Sequence, residues 1–137
     1  MAKSKMKLQI ITPDKKFFDE EVDMVIFRTT EGDIGILPNH EPLTTIVSIG
    51  IIRMKQGAEE KKASLIGGFA EVQPDGITIL ADTAEWPHEI DKRRAEEAQR
   101  RAEERLARRA SDINIARAQS ALKRALVRLE LSKYYNK

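Results

Sequence analysis

The chain has 137 residues, of which 41% are hydrophobic and 34% charged, with a formal net charge of +2 and no cysteine. That size and balance suit one globular domain or two small ones, and the absence of cysteine excludes a disulfide framework and thiolate chemistry. No run approaches the roughly twenty apolar residues of a transmembrane helix, and the opening Met1-Ala2-Lys3-Ser4-Lys5 leads into a strand pattern with no apolar stretch of signal-peptide length, so any membrane link is expected to run through a partner.

The small net charge conceals a division. Residues 1–86 carry 10 Lys+Arg against 14 Asp+Glu, a net of −4, whereas residues 87–137 carry 14 against 8, a net of +6. Ten of the twelve arginines lie in the second part and all seven glycines in the first. The composition therefore marks a boundary near Trp86-Pro87 and suggests that the basic part meets an anion.

In chain order, residues 6–12 alternate apolar and polar and predict a strand, and residues 12–16 a turn. Phe17 and Phe18 open a short second strand. Residues 22–29 predict a third, with Val22, Met24, Ile26 and Arg28 on one face and Val25 and Phe27 on the other. The segment 30–43 is rich in turn residues and reads as a loop with a short strand inside. Strands are predicted at 44–48 and 49–54, then a hairpin loop at 56–60 and a returning strand at 62–66. Gly67-Gly68 allows a sharp bend or a close backbone approach. A strand at 69–72, a tight turn at 73–76 and a strand at 77–81 complete an antiparallel sandwich or barrel. This part holds no nucleophile, base and orienter set. Its Gly32-Asp33-Ile34-Gly35 run lacks the lysine and the strand–helix context of a phosphate loop. His40 and His88 have no metal-ligand neighbour at helical spacing; His40 reads as a loop residue with a structural hydrogen bond or as a partner contact.

No glycine or proline follows Pro87, so nothing interrupts a helix there. The spacing predicts one helix from about residue 88 to 109, with Pro87 at its start, and a second that Ser111 or Asp112 caps and that ends near 131. On a wheel of 100° per residue, Asp91, Arg94, Arg101 and Arg105 share an arc beside an apolar stripe of Ala95, Ala98, Ala102 and Leu106. In the second helix Arg117, Ala121, Arg124 and Arg128 align beside Ile115, Ala118, Leu122, Ala125 and Leu129. If the stripes pack antiparallel, both arginine rows face one seam. Guanidinium groups repel unless an anion lies between them, and their planar fork suits phosphate. One reading is thus a polyphosphate site between the helices; the other is the solvated flank of an amphipathic hairpin. Asp91 has a plain reading as a carboxylate at the positive helix N-terminus and a functional one as acceptor for a ligand hydroxyl or amine. Glu85 shares both. A basic hairpin that binds nucleic acid is a further alternative, and the lack of interleaved aromatics counts against it.

Several segments together resemble the epsilon subunit of bacterial F-type ATP synthase over nearly the whole length. They are residues 31–43 (EGDIGILPNHEPL), 67–75 (GGFAEVQPD), 90–95 (IDKRRA) and 121–129 (ALKRALVRL). The resemblance implies an N-terminal antiparallel β-sandwich of about ten strands over residues 1–86, followed by a C-terminal antiparallel two-helix hairpin over residues 87–137. It implies a non-catalytic rotor subunit, peripheral at the cytoplasmic face of the bacterial cell membrane. Its sandwich would join the gamma subunit to the c-subunit ring, and its helices would either fold back or reach into the alpha/beta catalytic head and block ATP hydrolysis. Ile90, Asp91, Arg94 and Ala95 match the family's ATP-binding motif, and its further ATP contacts fall on Glu85, Arg101, Arg124 and Arg128. The arginines would serve the phosphates, with or without magnesium, and Asp91 or Glu85 the nucleoside side. Asp33 and His40 would be c-ring contacts. Asn39 stands where the family commonly has glycine, and Trp86-Pro87-His88 departs from its usual linker. A pure coupling scaffold that binds no nucleotide remains the alternative within this family.

Overall fold

The computed structural model describes residues 4–108 and 112–135, and the chain divides into two compact units, Met1–Glu85 and Trp86–Lys137. The first unit contains eight strands among the described residues: β1 (Met6–Thr12), β2 (Lys15–Val22), β3 (Met24–Thr29), β4 (Gly32–Ile36), β5 (Leu43–Ile46), β6 (Gly50–Gln56), β7 (Glu59–Gln73) and β8 (Gly76–Glu85). Hydrogen bonding links them in the order β2-β1-β8-β7-β6-β3-β4, with β5 beside β7. Only the β1–β8 pairing is parallel among these pairs.

The antiparallel sandwich expected is the fold found, and one predicted break within it is not a break. The strands at 62–66 and 69–72 belong to a single 15-residue strand, β7. Its first half pairs with β6 and its second half with β5, while β8 follows it on the other side from Ser64 to Gln73. The change of partner occurs at Gly67 and Gly68, whose φ angles are +74° and +118°. One continuous sheet therefore bends over itself there and encloses a core between two layers.

Period-two alternation supplies that core. Met6, Leu8 and Ile10 of β1, Val25 and Phe27 of β3, Ile52 and Met54 of β6, Leu65 of β7 and Ile79 of β8 are all buried. In β3 the face toward the core is that of Val25 and Phe27; Met24 and Ile26 lie half-buried on the other. The short strand expected within 30–43 is β4, which pairs back on β3.

Among its described residues the second unit contains a single 3-10 turn, Pro87–Glu89, and two helices, α1 (Lys92–Arg108) and α2 (Asp112–Ser132). The first helix starts four residues later than its spacing predicts. Ile90 is extended, with φ −78° and ψ 125°, and Glu89 folds its carboxylate back to accept from the Trp86 N–H at 2.8 Å. Pro87 thus opens the 3-10 turn, and Asp91 caps α1: its Oδ1 accepts from the Arg94 N–H at 3.1 Å and its carbonyl from the Ala95 N–H at 3.0 Å. The predicted end at Arg109 and the predicted cap Ser111 lie outside the described residues. At the open end the rings of His88 and Tyr135 come within 6.4 Å, so α1 and α2 run antiparallel.

Candidate functional site

The contact between α1 and α2 is lined by alanine. Ala95 and Ala102 of α1 and Ala118 and Ala125 of α2 are buried, each pair seven residues apart. Alanine offers little apolar area, so packing contributes little per residue, but it lets the helix axes approach to about 8 Å, the low end of the usual range. An arginine immediately precedes each buried alanine: Arg94 before Ala95, Arg101 before Ala102, Arg117 before Ala118 and Arg124 before Ala125. In a right-handed helix the preceding residue lies 100° to one side. Reversing the direction of one helix of a facing pair mirrors that sense, so both rows emerge on the same side of the hairpin. The fold therefore brings Arg94 and Arg101 of α1 onto one flank with Arg124 and Arg128 of α2.

The charges on that flank are unevenly matched. Arg93 and Arg100, one position further round α1, form i,i+4 pairs with Glu97 at 3.6 Å and Glu104 at 3.2 Å. Such exposed pairs contribute about 0.3–0.5 kcal/mol each. Arg94, Arg101 and Arg124 have no carboxylate partner among the described residues. Arg94 and Arg101 are exposed, whereas Arg124 and Arg128 are half-buried. The division between paired and unpaired arginines was not legible in the sequence reading, although the repeated Arg-Arg-Ala-Glu-Glu at 93–97 and 100–104 carries it: the first arginine of each doublet has a glutamate at i+4.

The remaining residues of the expected site fall as follows. Ile90 is half-buried, its N–H donating to the Pro87 carbonyl at 3.3 Å. Asp91 is exposed, and its capping role uses one carboxylate oxygen. Ala95 belongs to the buried contact rather than to the open flank. Glu85 is the last residue of β8, opposite Ser64, and so belongs to the sheet unit.

Within that unit, Asp33 sits on β4 directly across from Arg28, and Arg28 Nε donates to its Oδ1 at 2.9 Å. His40 Nδ1 lies 2.6 Å from the Glu41 carbonyl, to which that nitrogen donates its proton. Asn39 has φ +68° and donates its N–H to the Pro74 carbonyl at 2.8 Å. Asparagine is among the few residues that adopt this left-handed conformation readily, which explains how it stands where glycine is common. A further feature escaped the sequence reading. Ile46, Phe69 and Leu80 are 62%, 44% and 40% exposed, and they are cross-strand neighbours, Ile46 opposite Phe69 and Phe69 opposite Leu80. Ile11 of β1 extends the row beyond Leu80. Each residue alone reads as ordinary; only the register makes them one stripe.

Comparison with known proteins adds to this geometry. The family model described as ATP synthase, Delta/Epsilon chain, beta-sandwich domain matches residues 5–87, and that for the Delta/Epsilon chain long alpha-helix domain matches residues 88–133. The ATP synthase epsilon chain of Alkaliphilus metalliredigens is 49% identical over 130 residues, covering 95% of this chain and 97% of the relative. That of Caldanaerobacter subterraneus subsp. tengcongensis is 46% identical over 129 residues, covering 93% and 94%. That of Bacillus licheniformis is 44% identical over 128 residues, covering 93% and 98%. A chain of the Euglena gracilis mitochondrial ATP synthase, in a structure of OSCP, F1 and c-ring, superposes with a TM-score of 0.85 at 23% identity, over 98% of this chain and 84% of that one. This last likeness is one of fold.

Proposed function

We propose, because the chain belongs to the delta/epsilon family of ATP synthase, that it is a non-catalytic subunit of the proton-translocating enzyme whose hairpin senses ATP. The observation that carries the proposal is the gathering of arginines on one side of the hairpin, where Arg94, Arg101 and Arg124 have no carboxylate partner among the described residues. Four guanidinium groups on one side of an alanine-lined contact repel one another, and the small buried area does little to offset that repulsion. A triphosphate on the flank turns the repulsion into charge-assisted hydrogen bonds, and its binding free energy stabilises only the closed hairpin. Arg94, Arg101, Arg124 and Arg128 would hold phosphate oxygens. Asp91 keeps one carboxylate oxygen available for the nucleoside side, and Glu85, which precedes the helices in the chain, is the second acidic candidate there.

Closure by ATP would favour the folded-back tail. Without nucleotide the helices would separate and reach the alpha/beta head, where they oppose ATP hydrolysis. The apolar stripe of Ile46, Phe69 and Leu80 is read as the seat of the gamma subunit, since burying it removes exposed apolar surface from water. Asp33 and His40, with the exposed Leu37 between them in sequence, are read as the end of the sandwich that meets the c ring. No helix among the described residues is long and apolar enough to cross a membrane; attachment at the cytoplasmic face is read as running through those partners.

The test is calorimetric titration of the full chain with ATP, with and without magnesium. The double substitution Asp91→Ala with Arg94→Ala is expected to abolish binding. Unchanged affinity in that protein would leave a coupling scaffold without a nucleotide site, and binding to nucleic acid that weakens steeply with salt would favour the basic-hairpin alternative instead.

A further inference from the structure

We propose that Glu20, Asp23, Gln56 and Lys61 form a polar clasp that fastens the edge strand β2 across the open side of the sandwich. On this view β2 is a strap whose release is set by the clasp more than by its own ladder. The ladder is one-sided, since β2 pairs with β1 and ends the strand order at that edge. It is also irregular. Ile10 pairs with Phe18 and Ile11 with Lys16, so Phe17 is left over as a bulge. Yet Phe17, Phe18 and Val22 are all buried, so β2 covers the margin of the core. Lifting the strap would bring those side chains and the edge of β1 into water, the combination that templates pairing with another chain.

The fastening comes from the opposite layer. Asp23 is the single residue between β2 and β3. The pairing of β3 with β6 reaches Met24 and Lys55, and the Asp23 N–H extends it by donating to the Lys55 carbonyl at 2.8 Å. Past that point the β6–β7 hairpin projects beyond β3, and its tip bears on β2. Gln56 Nε2 donates to Glu20 Oε1 and to the Glu21 carbonyl, each at 3.0 Å, which uses both hydrogens of that nitrogen. Gly57, with φ +62°, turns its N–H to the Asp23 carboxylate. Lys61 Nζ donates to Glu20 Oε1 at 3.3 Å and lies 5.6 Å from the centroid of the Phe18 ring. These side-chain bonds join residues 34 to 41 positions apart, so they exist only in the closed sandwich and add nothing to an isolated β1–β2 hairpin. Apolar burial is non-directional; it holds the layers together without fixing where β2 lies along them. Hydrogen bonds are directional, and the clasp supplies that constraint. The Lys61–Glu20 pair is solvent-exposed and contributes little, so the bonds of Gln56 and Asp23 do most of the fastening.

Hydrogen exchange of the full chain, read at the amides of β2 and at those between β7 and β8, tests the clasp. Asp23→Ala with Gln56→Ala removes three directional bonds and is expected to speed exchange in β2 at least about tenfold. The amides between β7 and β8 are expected to stay within about threefold, because a strap opens without global unfolding. Gln56→Ala alone keeps the Asp23 corner and is expected to speed β2 by about threefold or more; it decides the matter if the double variant does not fold. Glu20→Gln keeps an acceptor oxygen for Gln56 and removes only the charge, so exchange in β2 is expected to stay within about threefold of the original. Unchanged exchange in β2 of the double variant, or of Gln56→Ala where that variant decides, overturns the clasp. So does equal acceleration in β2, β7 and β8, which would make these residues contributors to overall stability and nothing more. An effect of Glu20→Gln as large as that of the double variant overturns the assignment to directional bonds.

Discussion

Replacing Gly68 by alanine tests the bend on which the sandwich depends. A Cβ at this position would lie 1.9 Å from the Leu80 carbonyl oxygen and 2.9 Å from the Ala81 Cα. Both are backbone atoms of the neighbouring strand, so no side-chain rotation relieves the contact; β7 and β8 must separate locally by more than an ångström, against the pairing of Phe69 with Leu80. The Gly68 carbonyl, which would move with β7, also accepts the Val47 N–H at 2.9 Å. The φ of +118° adds conformational strain of about 1–2 kcal/mol for a residue with a Cβ, and overpacking a tight contact adds about 1–3 kcal/mol. The sum is about 2–5 kcal/mol, a large part of the roughly 5–15 kcal/mol that holds a domain. For a unit of this size that corresponds to a melting temperature lower by roughly 10–30 °C. Gly57→Ala supplies the control. Its φ is +62° and nothing lies within 4 Å of the added Cβ, so only the conformational part applies, about 1 kcal/mol. Thermal unfolding of the full chain, followed by circular dichroism at a wavelength dominated by strands, reads both. A Gly68→Ala protein that melts within a few degrees of Gly57→Ala would refute the argument that backbone proximity at the bend decides the fold.

Three further outcomes are expected. Arg94→Ala with Arg101→Ala should weaken ATP binding at least about a hundredfold, taking about 1.5–3 kcal/mol for each charged hydrogen-bonding group lost, whereas Arg93→Ala with Arg100→Ala, which removes only the outward pairs with Glu97 and Glu104, should leave the affinity within about threefold; calorimetry decides. Ala102→Leu should overpack the buried contact by about 1–3 kcal/mol, lower the melting of the helical signal and weaken ATP binding by parting the arginine rows, while the strand signal holds. Acid should destabilise the sandwich. The hydrogen bond from Lys16 Nζ holds the Asp19 carboxyl below its ordinary range, with Lys7 assisting, and the hydrogen bond from Gln56 does the same for Glu20, with Lys61 assisting. Because the folded state lowers these values, the stabilisation is present above the unfolded carboxylate range of about pH 4 and is lost as pH falls through the folded values. Asp19→Asn with Glu20→Gln should therefore flatten the pH dependence of stability below about pH 4, and an unaltered acid slope would reject that assignment.

Much of the layout of the candidate site follows from spacing alone. The repeat that sets an arginine before each contact alanine is a property of spacing, and so is the change of composition near Trp86. The alternation of Leu8 with Ile10 and of Val25 with Phe27 already separates core from surface. What spacing could not show is which groups satisfy one another. Asp91 and Glu89 are both acidic residues near a helix start, yet one caps α1 and the other closes the 3-10 turn, because the extended Ile90 between them ends one element and begins the next.

The amino-acid sequence by itself determined the two-part organisation, the inward faces of the strands and the phase of the arginine rows, because each follows from local periodicity that any chain of these residues would carry. Tertiary structure alone decided that β7 continues through its glycines, that Ile46, Phe69 and Leu80 form one stripe, that both arginine rows share a side, and that His88 meets Tyr135. Those depend on strand register and on the direction of one helix against another, and residues far apart in sequence acquire such relations only when the chain closes on itself.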